Sequence, residues 1–70
     1  MQIVLNGQPR ELALDPEKAT VDGLIQLLEM KADRVAVEQN GEIVRRGVWP
    51  STAVCDGDRF EIVHFVGGGC

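Results

Sequence analysis

Two Asn-Gly dipeptides each separate a pair of short apolar segments, and this spacing predicts two hairpins. The segments are 2–5 and 10–14 around Asn6-Gly7, and 34–38 and 43–44 around Asn40-Gly41. Asn-Gly readily adopts positive φ angles and therefore favours a tight turn between antiparallel strands. We expect four of the strands of this protein to form in this way.

A helix is predicted between the two hairpins, over residues 21–30. Thr20 stands where a hydroxyl caps the first turn, and Asp22 places a negative charge near the positive end of the helix dipole. Apolar residues recur at the i, i+3, i+4 and i+7 spacing of one helix face: Val21, Leu24, Ile25 and Leu28. We predict that this stripe packs in the core.

The last strand is predicted at 59–65, after the turn Asp56-Gly57-Asp58. Alternation places Phe60, Ile62 and His64 on one face, and Glu61, Val63 and Phe65 on the other. If the first face covers the helix, Val63 and Phe65 lie towards solvent and, with Val66, form a partner-binding surface. The alternative is a central strand whose two apolar faces are both covered.

The order of these elements predicts the fold class. Strand, strand, helix, strand, strand, loop and strand fit an α+β protein with one mixed sheet of four to five strands packed on one helix. The loop at 45–54 is predicted to be irregular, because Pro50 lacks a ladder donor and restricts Trp49. We expect Trp49 to cover an edge of the core.

The size and charge of the chain limit the range of possible functions. The chain has 70 residues, which predicts a single small domain without room for a deep catalytic cleft. With 7 basic and 11 acidic residues its formal net charge is -4, and neither sign forms a long run, which argues against a nucleic-acid partner. No stretch has the length of a membrane span and the first residues read as a strand, so we expect no membrane association and a cytoplasmic location.

No catalytic or metal-binding constellation is identifiable. Ser/His/Asp, Cys/His and paired-carboxylate arrangements are missing from the sequence, so we do not predict an enzyme. Cys55, His64 and Cys70 are scattered, and we predict neither a metal site nor a disulfide from them. Cys55 is expected to be a small buried side chain near a turn.

A run of three glycines, Gly67–Gly69, directly follows the last strand. Glycines have no side chain to pack, and ordering them costs conformational entropy. A run of glycines is, however, a long and narrow segment of chain. At about 3.4 Å per residue, positions 66–69 extend roughly 13 Å beyond the strand, into a channel too narrow for side chains. We therefore predict a folded domain over 1–66 and a flexible tail over 67–70 that presents a carboxyl group to another enzyme.

These residues resemble a known family. The segment Asn40-Gly41-Glu42-Ile43-Val44, the spacing of Arg46 and Trp49, the Asp56-Gly57-Asp58 turn and the run from Glu61 to Gly69 are similar to the ThiS family, the sulfur carriers of thiamine thiazole synthesis. The resemblance covers essentially the whole chain and is strongest over its last fourteen residues. It implies a ubiquitin-like β-grasp fold.

The resemblance also implies a function for the tail. Gly69 is adenylated by an E1-like adenylyltransferase of the ThiF type that uses Mg-ATP, so the carrier itself binds no cofactor. Sulfur from a donor such as a cysteine desulfurase then replaces the adenylate, and a ThiG-type thiazole synthase consumes the resulting thiocarboxylate. Gly67 and Gly68 thread the tail through the activating enzyme.

Two positions depart from the family pattern. Arg45 precedes Arg46 where the family often has proline, so the resemblance does not predict the local backbone conformation. Cys70 follows the diglycine that ends the family's chains. Either a peptidase removes Cys70 before use, or Cys70 is an added labelling handle, and a role of its thiol as the sulfur carrier is a third reading.

Two further functions remain open from the residues alone. The small subunit of molybdopterin synthase is another β-grasp protein with a terminal diglycine. A ubiquitin-like protein modifier would instead join Gly69 to a lysine through an isopeptide bond. A thiocarboxylate indicates a sulfur carrier, whereas a lysine-linked conjugate indicates a modifier.

Overall fold

Both predicted hairpins are present, at opposite edges of one five-stranded sheet. The computed structural model describes residues 1–65 of the chain. Its strands and helix are β1 (Gln2–Leu5), β2 (Gln8–Glu11), α1 (Val21–Leu27), β3 (Val35–Gln39), β4 (Glu42–Val44) and β5 (Arg59–His64). The strand order is β2-β1-β5-β3-β4, with β1 and β5 parallel and the other pairs antiparallel. This mixed sheet around one helix confirms the β-grasp prediction.

The first hairpin is tighter than predicted. Asn6 and Gly7 both have positive φ angles, 50° and 82°, so that Leu5 pairs directly with Gln8. The second strand therefore covers Gln8–Glu11 and not 10–14. Leu12, which was predicted inside the strand, lies just beyond it and is buried in the core.

The helix begins where predicted and ends three residues earlier. The Gly23 N–H donates to Thr20 Oγ1 at 3.1 Å, as expected of an N-cap. At the other end, Glu29 has a φ of 58°, and the N–H groups of Glu29 and Met30 donate to the carbonyls of Gln26 and Ile25. These bonds form a Schellman motif with glutamate in the place that glycine usually holds, which is why the sequence did not indicate the stop.

The core lies between α1 and one face of the sheet. Its members are the buried apolar side chains Ile3, Leu5, Leu12, Ala19, Val21, Leu24, Ile25, Val35, Val37, Trp49, Val54, Phe60 and Ile62. The predicted stripe of the helix is buried at Val21, Leu24 and Ile25, while Leu28 is half-buried at the margin. None of the helices among residues 1–65 is long and apolar enough to cross a membrane.

The segment predicted to be irregular contains a 3-10 helix, Arg46–Ser51. Within it, Trp49 is only 1% exposed, and its indole N–H donates to the Val44 carbonyl at 2.9 Å. The Trp49 side chain thus closes the core next to β4, as the sequence indicated, and satisfies its polar atom there.

Candidate functional site at the end of the last strand

β5 occupies the middle of the sheet and is held along both edges. It pairs in parallel with β1 at Phe60 and antiparallel with β3 as far as His64. The side chain of Asn6 adds two bonds, because its Oδ1 accepts from the Ile62 N–H at 2.8 Å and its Nδ2 donates to the Ile62 carbonyl at 3.2 Å. The strand that leads to the glycine run is therefore fixed in place up to its last residues.

The beginning of β5 is fixed by Asp58. Its carboxylate accepts hydrogen bonds from the Cys55 N–H at 2.8 Å, from Gln39 Nε2 at 2.9 Å and from Asn40 Nδ2 at 3.1 Å. Partial burial raises the pKa of Asp58, but the bonds from Cys55, Asn40 and Gln39 outweigh it, so the pKa lies below its ordinary value. Asp58 thus ties the turn before β5 to the end of β3.

Phe65 is the last residue that the structure describes, directly after β5. Its N–H donates to the Arg34 carbonyl at 3.0 Å, which continues the pairing with the chain before β3. The Phe65 side chain is 48% exposed. It lines a hollow of about 400 Å³ at the end of α1 together with Glu29, Met30, Lys31, Arg34 and His64. A large aromatic side chain is thus presented to solvent beside the start of the glycine run.

Val63 is also exposed, but it lies in a different hollow. It is 61% exposed and stands opposite Ala36 on β3. Its hollow, of about 110 Å³, also contains Ile43 from β4. The sequence predicted one shared surface for Val63 and Phe65. The structure places the two side chains in different hollows, with Phe65 beside Glu29 and Met30 at the end of α1.

The exposure of both side chains resolves the alternative that the sequence left open. Within residues 1–65, neither face of the end of β5 is fully covered, since Val63, His64 and Phe65 are all exposed. His64, predicted on the same face as Phe60 and Ile62, is the last residue of β5 and is exposed. The remaining predicted site residues, Val66, Gly67, Gly68, Gly69 and Cys70, lie outside the described residues.

Neither the exposed cysteine nor the other potential metal ligands of residues 1–65 form a metal site. Cys55 is exposed, whereas the sequence predicted a buried side chain. It lies in the turn before β5, next to the core residue Val54, and only its backbone is bonded there, with its N–H donating to the Asp58 carboxylate and its carbonyl accepting from the Asp58 N–H. In the described part of the chain, no three His, Cys, Asp or Glu side chains are grouped so as to hold a metal ion.

The sequence did not indicate that Ile43 is a surface residue. It is 70% exposed, the largest exposure among the large apolar side chains of residues 1–65. The sequence indicated only a short apolar piece, Ile43-Val44, and a two-residue piece does not show which side chain points to solvent. The register of β4 against β3 decides it, with Val44 opposite the buried Val37 and Ile43 opposite Glu38.

Comparison with known proteins agrees with this architecture. The model of the ThiS family matches residues 3–69. The sulfur carrier protein ThiS of Bacillus subtilis is 35% identical over 65 residues, which are 93% of this chain and 96% of that protein. The crystal structure of the thiamine biosynthesis protein ThiS from Geobacter metallireducens superimposes with a TM-score of 0.83 at 36% identity, covering 99% of this chain and 100% of that one.

Some relatives are much longer than this chain. A thiazole synthase of Paramagnetospirillum magneticum is 42% identical over 69 residues, and a thiazole synthase of Magnetococcus marinus is 38% identical over 69 residues. In each case the match covers 99% of this chain but only 20% of the relative.

Proposed function

Because the chain belongs to the ThiS family, we propose that it is a sulfur carrier that delivers sulfur for the thiazole ring of thiamine. One observation carries the proposal furthest. β5 lies in the middle of the sheet, bonded on both sides, and runs from the core at Phe60 and Ile62 directly into the sequence Val66-Gly67-Gly68-Gly69. A strand fixed in the middle of the sheet, followed after Phe65 and Val66 by three residues without side chains, is suited to presenting a carboxyl group inside another enzyme.

The chemistry takes place at the carboxyl carbon of Gly69. Its carboxylate attacks the α-phosphorus of ATP and displaces pyrophosphate, which gives an acyl adenylate. A persulfide sulfur then attacks the acyl carbon and the bond to AMP breaks, which gives an acyl disulfide. A thiol cleaves its S–S bond, so that a thiocarboxylate and a new disulfide remain. A carboxylate is a poor electrophile, so the adenylate is needed to provide a leaving group. Gly67 and Gly68 allow close approach of the enclosing enzyme, since neither has a Cβ.

The catalytic groups belong to partners under this proposal. An E1-like adenylyltransferase of the ThiF type binds Mg-ATP and positions the tail, a cysteine desulfurase supplies the sulfur, and a ThiG-type thiazole synthase consumes the thiocarboxylate. Val63, Phe65 and Val66 contact the partner before the tail enters, with Val63 and Phe65 meeting it from separate hollows. A region similar to this chain lies within proteins named thiazole synthase, which supports that partner. We place this ATP-dependent chemistry in the cytoplasm.

Cys70 imposes one further requirement. It follows Gly69 in the sequence, so the Gly69 carbonyl belongs to a peptide bond until that bond is hydrolysed. We propose that a peptidase removes Cys70 before activation. The geometry of in-line attack requires the reacting oxygen to approach the phosphorus to about 3 to 3.5 Å, and one extra residue with a side chain displaces it.

The proposal is tested with two forms of the protein, one ending at Gly69 and one ending at Cys70. Each is incubated with the cognate adenylyltransferase, ATP and a sulfur source, and both pyrophosphate release and intact mass are measured. We expect pyrophosphate release and exchange of one oxygen for sulfur only in the form ending at Gly69. Equal activity of the longer form, with sulfur on Cys70, would overturn the trimming step. A lysine-linked conjugate in place of a thiocarboxylate would indicate a protein modifier.

A glycine substitution provides a second test with a matched control. Gly68→Ala adds one methyl group to the tail, and we expect it to reduce adenylation strongly while the unfolding midpoint stays unchanged. Gly47→Ala adds the same group in the 3-10 helix, where the new Cβ would have no atom within 4 Å and the φ angle is ordinary. The control variant should keep full activity. Equal rates for the two variants would contradict a narrow channel around the tail.

A further inference from the structure

The face of the sheet away from α1 carries an apolar patch next to two carboxylates. Ile43 and Val63 are 70% and 61% exposed, and Ala36, also exposed, stands opposite Val63 on the neighbouring strand. Together with Glu38 and Glu61 they line the hollow of about 110 Å³ described above. We call these five residues the open-face patch. Two large exposed side chains at one place on a small domain are typical of a contact surface.

Glu38 and Glu61 face each other directly across the β3–β5 pair. Directly opposed residues in an antiparallel pair have their Cβ atoms about 4.5 to 5.5 Å apart, where like charges destabilise the sheet. Within residues 1–65, the one ion pair joins the N-terminal amine of Met1 to Glu11, so neither glutamate has a basic group within 4 Å. The fold itself therefore gains nothing from this pair of carboxylates.

Arg59 is the nearest candidate for neutralising them. It lies two residues before Glu61 on the same face of β5, and it lines a neighbouring hollow together with Glu38 and Glu61. Its guanidinium nevertheless forms no ion pair with either carboxylate. The negative charge of the patch is left available to a partner.

We propose that the open-face patch docks the activating adenylyltransferase through an arginine or lysine that reaches between Glu38 and Glu61, surrounded by apolar side chains that pack on Ile43 and Val63. The inference rests on the proposed function, because it defines the chemistry of that partner. A guanidinium forms paired hydrogen bonds with carboxylates, and two facing carboxylates offer it acceptors on both sides. The same two charges oppose docking of a second copy of this acidic chain, since each copy would bring the identical pair.

The test separates binding from stability. The variant Glu38→Gln/Glu61→Gln removes both charges and keeps the shape of the side chains. We expect its affinity for the adenylyltransferase, measured by calorimetry with the form ending at Gly69, to fall by at least about tenfold. Its midpoint of urea unfolding should rise, because the repulsion across the strand pair is lost. A merely structural role of the glutamates would not move the two measurements in opposite directions.

Glu42→Gln is the matched control. Glu42 is an exposed glutamate of the same sheet, but it pairs with Gln39 and so lies on the other face of β4 from Ile43. The Glu42→Gln substitution removes one negative charge, as each substitution of the double variant does. We expect it to leave the affinity for the adenylyltransferase within about twofold of wild type. A further variant, Ile43→Ser, tests the apolar part and should also weaken binding.

Salt provides an independent readout. The affinity of the wild type should fall as the ionic strength increases from 0.05 to 0.5 M, on the order of tenfold, whereas that of the double variant should fall less. If the wild type is bound and adenylated and the double variant binds equally well, the docking inference is overturned and the proposed function stands. If the wild type itself is neither bound nor adenylated, both are overturned. Dimerisation of the wild type through Ile43, seen by sedimentation, would also overturn it.

Discussion

The side-chain amide of Asn6 forms with the backbone of Ile62 the two hydrogen bonds that a neighbouring strand would otherwise provide, although Ile62 lies fifty-six residues later in the chain. The amide both accepts from the Ile62 N–H, at 2.8 Å, and donates to the Ile62 carbonyl, at 3.2 Å. The parallel pairing of β1 with β5 reaches only Leu5 and Phe60, so Asn6 prolongs it by one more step. A turn residue of the first hairpin thus fixes the strand that leads to the proposed sulfur-carrying end.

We predict that Asn6→Gly lowers the free energy of unfolding by about 1 to 3 kcal/mol, since two part-buried hydrogen bonds are lost. Glycine accepts the φ angle of 50° at this position, so the backbone is not strained, and the measured loss combines the lost hydrogen bonds with the greater freedom of glycine in the unfolded chain. Asn6→Ala should cost more, because alanine combines the same loss with an unfavourable φ. Urea unfolding checks both, and a glycine variant as stable as wild type would contradict the role given to the amide.

Trp49→Phe should destabilise the fold by about 1 to 3 kcal/mol. The substitution leaves the Val44 carbonyl without its indole donor and removes part of a side chain that is 1% exposed. Because Trp49 is the one tryptophan of the chain, the variant is monitored by far-UV circular dichroism. Val48→Ala, in the same 3-10 helix but 48% exposed, is the comparison and should cost under about 0.5 kcal/mol.

The pH dependence of stability should include a contribution from Asp58. Its pKa is lowered in the folded protein, so its stabilising contribution is present above the ordinary value of 3.8 and is lost as the pH falls through the lower folded value. We predict that Asp58→Asn costs about 1 to 2 kcal/mol at pH 7 and progressively less below pH 3.8. Urea unfolding at a series of pH values measures this. A cost that is the same at pH 7 and at the acid end would mean that the charge is not involved.

Phe65→Ala should weaken binding to the activating adenylyltransferase by about 1 to 3 kcal/mol with little change in folding stability. The reason is that Phe65 is 48% exposed at the end of β5, and its pairing to Arg34 uses the backbone N–H, which the substitution keeps. Binding is measured by calorimetry and folding by urea. Loss of the fold in this variant would show that Phe65 belongs to the core.

Backbone order parameters provide a prediction for the tail. Because Gly67–Gly69 have no side chains to pack, we predict low order parameters for residues 67–70 in the free protein and high ones for Phe60 to His64. Values at Gly68 as high as those at Ile62 would refute it.

The sequence by itself determined the elements whose cause is local. Both Asn-Gly turns, the Thr20 cap, the start of α1 and the buried stripe at Val21, Leu24 and Ile25 follow from the φ preferences and spacing of neighbouring residues. The run of glycines and the motifs around it were enough to indicate the ThiS family, and the match over residues 3–69 confirms it. The sequence did not indicate that α1 ends at Leu27, because the Schellman motif at this end has Glu29 in the position where glycine is usual.

Only the tertiary structure decided which side chains meet. Glu38 and Glu61 are distant in sequence, and their opposition, like the exposure of Ile43, depends on the registers of β4 and β5 against β3. Val63 and Phe65, two residues apart, line different hollows, because the neighbours of Val63 come from β3 and β4 and those of Phe65 from the end of α1. A strand's own pattern fixes the alternation of its side chains, but register and strand ends depend on partners elsewhere in the chain, and the proposed docking surface is made of those relationships.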